Sequence, residues 1–261
     1  MIAGCETADA AAWSAFVADY TPLFLKLSRI YVPRAAHEQM WAETLKALSD
    51  EDFNALRGFE RQSEREFLVD LRAFHLRRSA TALNNARGSP EWPELTAASI
   101  ASILKGVPLV HQEVIFLKLA GYCDATLEKL FRITPSVAAA SVERLKPAYA
   151  VALSKNTDEG WQPAAWLQML AELWNSKAEA CPPLRLLIRL QDGHVGWQEK
   201  EPAEKRVAEC LHCLETWTAL KELVHWRANE PPAAAAQVES LVAALPVRKE
   251  SRKPLFKRWF G

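Results

Sequence analysis

Three cysteines carry the clearest chemistry in this chain: Cys181, Cys210 and Cys213, in the stretch CPPLRLLIRLQDGHVGWQEKEPAEKRVAECLHC. It opens on Cys181-Pro182, turns at Asp192-Gly193 and closes on Cys210-x-x-Cys213. Three soft thiols suit a structural zinc, and such a site needs a fourth donor. Arg206 lies in the same stretch and cannot supply it, because a guanidinium stays protonated and has no acceptor. The readings left open are a Cys3His site completed by His194 or His212, three free thiols, or a disulfide between two of them.

A second cluster lies in REFLVDLRAFHLRRSA, residues 65–80, where Arg72, His75, Arg77 and Arg78 surround Phe74. Basic and aromatic side chains together suit a single nucleic-acid strand, which stacks its bases and presents its phosphates. A solvated helix face accounts for the same residues equally well. No phosphate-binding loop, nucleophile triad or paired-carboxylate motif is present, so neither an enzyme nor a small-molecule substrate is expected.

The elements that must position these residues read as helices throughout. Trp13, Phe16, Val17, Tyr20, Leu23, Phe24, Leu27, Ile30 and Tyr31 recur at three- and four-residue steps, as on one helix face, up to Pro33. A second helix fits 36–48, and Ser63-x-x-Glu66 forms a capping box that opens a third. Gly88-Ser89-Pro90 and Trp92-Pro93 read as a linker. Helices then fit 96–105, 108–119 and 125–131, and Thr134-Pro135 starts one running to about Leu153. A second linker is expected at 155–160, followed by a helix from Pro163. LRLLIRL, 184–190, is strand or helix by periodicity alone; with no partner strand in view it is assigned as helix. The alanine-rich 233–245 reads as a short helix.

The chain has 261 residues, 49% of them hydrophobic, and 32 basic side chains balance 32 acidic ones. That is enough to bury a real core. From Arg248 onward six basic residues face Glu250 alone, which leaves the rest of the chain mildly acidic and disfavours strong non-specific DNA affinity from the body. The tail, with Phe256, Trp259 and Phe260 among its cations, could touch lipid or nucleic acid, a mobile basic end being the default reading. Five scattered cysteines suggest no disulfide framework and point to a reducing cytoplasm. Ile2-Ala3-Gly4-Cys5 mimics a lipoprotein cleavage box, but no signal segment precedes it.

The segment VPLVHQEVIFLKLAGYCDATLEKLFRITPSVAAASVERLKP has the layout of a helix-turn-helix. Through Val107-Pro108, Glu113-Val114-Ile115-Phe116-Leu117, Gly121, Leu127, Leu130 and Ile133 it resembles the fourth conserved region of bacterial extracytoplasmic-function sigma factors. The resemblance implies that the helix from Ser136 to Lys146 reads the major groove, with Ser136, Ser141, Arg144 and Lys146 as its polar contacts. Ala139, Ala140 and Ser141 stand where the family often has a basic-Ser-Arg triplet, and Arg132 replaces the glycine usual in the turn.

Residues 12–83 resemble the second conserved region of the same family through WSAFVADYTPLFLKLSRIYV and through Phe67, Leu68 and Leu71. The resemblance places the polymerase-clamp contact at Glu38, Gln39, Met40, Trp41 and Glu43, though the family's Asp-Leu-Val-Gln core is lost there. It places the promoter-strand contact at Arg72, Phe74, His75, Arg77 and Arg78, with Phe74 and Arg78 at the family's asparagine and aspartate positions. Residues 181–220 resemble the zinc-binding anti-sigma domain through Cys181-Pro182, Asp192-Gly193, Glu199, Val207, Cys210 and Cys213. Arg206 stands at that domain's histidine position. The resemblance implies Cys181, Cys210 and Cys213 as ligands; His194 is taken as the substitute for the missing histidine, with zinc or no cofactor at all.

The expectation is therefore an all-α chain: two sigma-like helical domains at 1–87 and 94–155, the second a helix-turn-helix, an anti-sigma-like module at 160–228, and an alanine-rich helix with basic tail at 229–261. The implied function is a sigma-type transcription regulator that binds RNA polymerase core and promoter DNA and is regulated in cis by its C-terminal module. The alternative is a degenerate relative that acts as a protein-interaction or decoy module.

Overall fold

A computed structural model describes residues 1–32, 36–50, 53–60, 62–84, 96–144 and 163–247, apart from the side chains of Asn84, Pro163 and Ala164. Every regular element among them is helical. In chain order these are α1 (Ile2–Cys5), α2 (Ala10–Tyr31), α3 (His37–Ser49), α4 (Asn54–Arg57), α5 (Glu64–Asn84), α6 (Ala97–Leu104) and α7 (Leu109–Leu119). There follow α8 (Asp124–Phe131), α9 (Pro135–Val142), α10 (Pro163–Asn175), α11 (Leu184–Gln191), α12 (Trp197–Glu209), α13 (Leu211–Asn229) and α14 (Ala235–Ala243). The all-α expectation holds. LRLLIRL forms α11, as assigned; α1 and α4, one turn each, carry too little periodicity to be read from sequence. The helix expected from Pro135 to about Leu153 ends at Val142, where Glu143 caps it. Pro33, both linkers, Lys146 and the basic tail lie outside the described residues.

Local chemistry sets the helix ends. Ser63 Oγ accepts from the Glu66 amide at 3.2 Å and donates to the Glu66 carboxylate at 3.1 Å, which opens α5 as its sequence predicts. Thr96 and Ser99 cap α6 reciprocally. Arg132 closes α8 in the left-handed region, φ 54°. Pro22 lies inside α2 and has no N–H for the Ala18 carbonyl. The Ala233 amide donates to that carbonyl instead, at 3.0 Å.

The chain divides into two compact units. The first comprises Met1–Pro22, Leu45–Gly58 and Pro231–Gly261, and its described core is built on Trp13, Phe16, Phe53 and Leu56. Trp13 Nε1 donates to the Cys5 carbonyl at 3.0 Å, and the Trp13 and Phe16 rings meet edge to face at 5.4 Å.

The second unit comprises Leu23–Thr44 and Phe59–Glu230. Its centre is α13, which packs against α5, α7, α8, α10, α11 and α12. A helix with buried side chains around its whole circumference must sit inside a fold, and LHCLETWTALKELVHW buries Cys213, Leu214, Trp217, Leu220, Leu223 and Trp226. The two glutamates buried with them, Glu215 and Glu222, therefore require partners.

Candidate thiol centre and buried charge cluster

Cys181 precedes α11, Cys210 stands in extended backbone at the break between α12 and α13, and Cys213 lies in the first turn of α13. The turn that returns the chain from α11 toward α12 is made at Gly193, whose φ of 73° a side chain would strain. The result is a cluster of three sulfurs within 4.8 Å of one another, Cys181 and Cys210 being 3.9 Å apart. Such a cluster could hold a metal ion. All three cysteines are free thiols.

Arg206, one helical turn before Cys210, reaches into the cluster and places Nη2 3.8 Å from Cys181 Sγ. Burial works to raise the Cys181 thiol, but hydrogen bonds with Cys213, the Ala178 backbone, Arg206 and Cys210 outweigh it and bring its pKa below the ordinary value. Burial, then the bond to Cys181, pushes Cys213 the other way. The sulfurs also keep Arg206 firmly protonated.

The expected fourth ligand is not there. His194 is exposed and outside the cluster, its backbone carbonyl accepting from Arg189. His212 turns away and bonds the Leu173 carbonyl through Nδ1 at 2.9 Å. A closed four-donor zinc site of the Cys3His kind is therefore not assembled; the fourth side chain on the sulfurs is a guanidinium, which has no lone pair to give.

Arg72, expected to face a promoter strand, is 2% exposed and enclosed by α13. Its Nη1 donates to Glu215 and its Nε to Glu222, both at 2.6 Å. Glu222 also accepts from Tyr31 at 2.9 Å and from Tyr122; Arg72 Nη2 donates to Tyr31 Oη, and Trp226 Nε1 to Tyr122 Oη. Burial opposes the charge on Arg72, but Glu222, Tyr31 and Glu215 more than restore it. Burial and then Glu222 raise both tyrosines, which keeps them protonated as donors.

His75 is also corrected from a strand contact to a core residue. It is fully buried against the stacked Phe24 and Trp41 rings, with Ser28 on Nε2 at 3.0 Å and Thr44 on Nδ1 at 2.8 Å. Burial first and the Arg72 charge second lower its pKa to about 3. Phe74 is partly covered beside Phe59. Arg77 and Arg78 are exposed, as a strand-binding role requires, Arg77 lying over the Trp174 ring.

The remaining expected contacts divide in the same way. Met40 and Trp41 are buried, so the apolar part of the expected polymerase surface is core; Glu38 and Gln39 are exposed, and Glu43, half-buried, accepts from Gln39. On α9, Ser141 is fully buried and bonded to His111 at 2.7 Å, whereas Ser136 and Arg144 are exposed. The helices α7, α8 and α9 pack on one another as the helix-turn-helix reading expects.

Sequence reasoning missed Glu215, Glu222, Tyr31 and Tyr122 as a unit. A signal was present: Glu215 and Glu222 lie two turns apart in a stretch whose Leu214, Trp217, Leu220, Leu223 and Trp226 recur at helical spacing. It also missed Glu113, buried on α7, which Lys221 of α13 meets at 2.7 Å and to which Trp217 Nε1 donates. No helix of the described residues is long and apolar enough to cross a membrane. No family model, no curated protein and no solved structure matches this chain.

Proposed function

We propose that this protein is a sigma-type transcription regulator of the cytoplasm, held closed in cis by its C-terminal module. The observation that carries the reading is the docking of α5, the helix expected to meet promoter DNA, onto α11 and α13. Arg72 is enclosed by Glu215 and Glu222 at its centre. Around that pair, Glu66 meets Arg185, Glu64 meets Arg227 and Arg65 meets Asp192. The partners are RNA polymerase core and promoter DNA. Zinc, in this reading, would use Cys181, Cys210 and Cys213 and take its fourth donor from outside the chain's own cluster.

Arg185 and Arg227 are partly exposed, while Glu66 opposite Arg185 is buried, so reversing the two arginines loosens the dock from its solvent side. The full chain and the variant Arg185→Glu, Arg227→Glu are compared for binding to polymerase core and for promoter-dependent initiation. The variant is expected to bind core about tenfold more tightly, a change of the size that several rim pairs supply. If neither protein binds core or directs initiation, the regulator reading is lost.

A second reading is favoured by α9 itself: residues 135–142 contain no lysine or arginine. A helix without cations forgoes the phosphate contacts on which duplex affinity rests. In that case the chain is a protein-interaction or decoy module of sigma-like build. Salt-dependent, sequence-selective binding to a duplex by the loosened variant would exclude it.

A further inference from the structure

The thiol cluster has three donors of one kind, and its fourth side chain, a guanidinium, has no lone pair to offer a metal. Cys181, Cys210 and Cys213 place three sulfurs within 4.8 Å of one another, and Arg206 lies against Cys181 at 3.8 Å. A trigonal ion with metal–sulfur bonds of about 2.3 Å would hold its sulfurs about 4 Å apart. The Cys181–Cys210 separation of 3.9 Å is already at that value. Zinc prefers a fourth donor, but soft thiophilic ions do not need one, and thiolate-only ligand sets select them.

We propose that Cys181, Cys210 and Cys213 bind a soft thiophilic cation, Cu(I) by class, in three-coordinate thiolate geometry, with Arg206 as counter-charge and not as ligand. The three S–H protons pass to solvent as three sulfur–metal bonds form, and no atom changes oxidation state. Three thiolates around a monovalent ion carry a charge of 2−, which the guanidinium offsets by one. A cavity of about 340 Å³ reaches Cys210 and gives an ion room to approach. His194 and His212 remain outside the site, as they are in the structure. The assignment does not depend on the transcriptional reading.

The test uses the full, reduced chain under anaerobic conditions, titrated with Cu(I) against a colorimetric Cu(I) chelator and, separately, with Zn(II). X-ray absorption counts the sulfurs around the bound ion. The expected result is one Cu(I) per chain bound by three sulfurs, with affinity reduced about 100-fold in Cys181→Ser. Arg206→His supplies the absent fourth donor, so zinc affinity should rise about 100-fold while the three-sulfur copper signal persists. Circular dichroism confirms that each variant is folded. If Cys181→Ser fails that check, the sulfur count on the wild type and the zinc gain in Arg206→His still decide. The proposal is overturned if the chelator strips all copper, if copper is held by two sulfurs, or if the wild type already binds zinc as tightly as Arg206→His.

Discussion

Arg72 and His75 stand about one turn apart on α5, and each shows why a polar residue in a basic stretch need not be a contact for nucleic acid. Arg72 is matched by two carboxylates and a tyrosine hydroxyl, and His75 by two hydroxyls at neutral charge. Sequence supplies residue types but not the facing helix, so RAFHLRR reads as one basic cluster although its side chains divide between core and surface. The cysteines were legible because Cys-x-x-Cys spacing fixes geometry locally; the place of His194 depended on a loop, and the loop leaves it outside. The neutrality of His75 has a measurable consequence. Its folded pKa, about 3, lies below its unfolded value, so the unfolded chain binds the extra proton between those limits. The stability it protects is fully present above pH 6.5 and is lost as pH falls toward 3. His75→Gln removes the titration and can still serve Ser28 and Thr44. Between pH 7 and pH 4 the wild type should lose about 3 kcal/mol more than the variant, read from urea denaturation at each pH. Equal losses would show that His75 is not held neutral by the fold.

At the scale of elements, sequence was most informative where local chemistry decides. The capping box at Ser63 and the Thr134-Pro135 start gave α5 and α9 their first residues. Apolar spacing gave α2 its length, and the absence of a partner strand correctly made LRLLIRL the helix α11. What it could not give was the circumference of α13, because a helix that mixes charged and apolar residues shows burial on nearly every side only once the surrounding helices are in place. One connection is under local strain. Arg132 joins α8 to α9 in the left-handed region with an exposed side chain, where an L-residue pays for its Cβ. Arg132→Gly should stabilise the protein by about 1 kcal/mol, seen as a rise in thermal midpoint with unchanged helix content. A fall in midpoint would mean that the arginine side chain contributes more than its backbone costs.

For the molecule as a whole, α13 determines how the second unit holds together. Glu215 and Glu222 meet Arg72 on α5, and Lys221 meets Glu113 on α7, so two helices far apart in sequence are tied to one central helix by charge as well as by packing. Replacing Arg72 alone strands two carboxylates in a site from which water is excluded. Arg72→Met should therefore cost about 3–5 kcal/mol in chemical denaturation, and a loss below about 1 kcal/mol would show that the cluster is wetter than its burial indicates. None of this pairing was legible beforehand, because it links positions 108 to 150 residues apart.

That separation bears on synthesis. When Arg72 leaves the ribosome, its carboxylates at 215 and 222 have not been translated, so α5 must pass through a period with its central cation hydrated and its docking face bare. At roughly 5–20 residues per second that period lasts on the order of ten seconds. The newborn chain thus holds α5 uncovered for that interval, and its Arg72 charge is matched only once the last of its partner helices has been made.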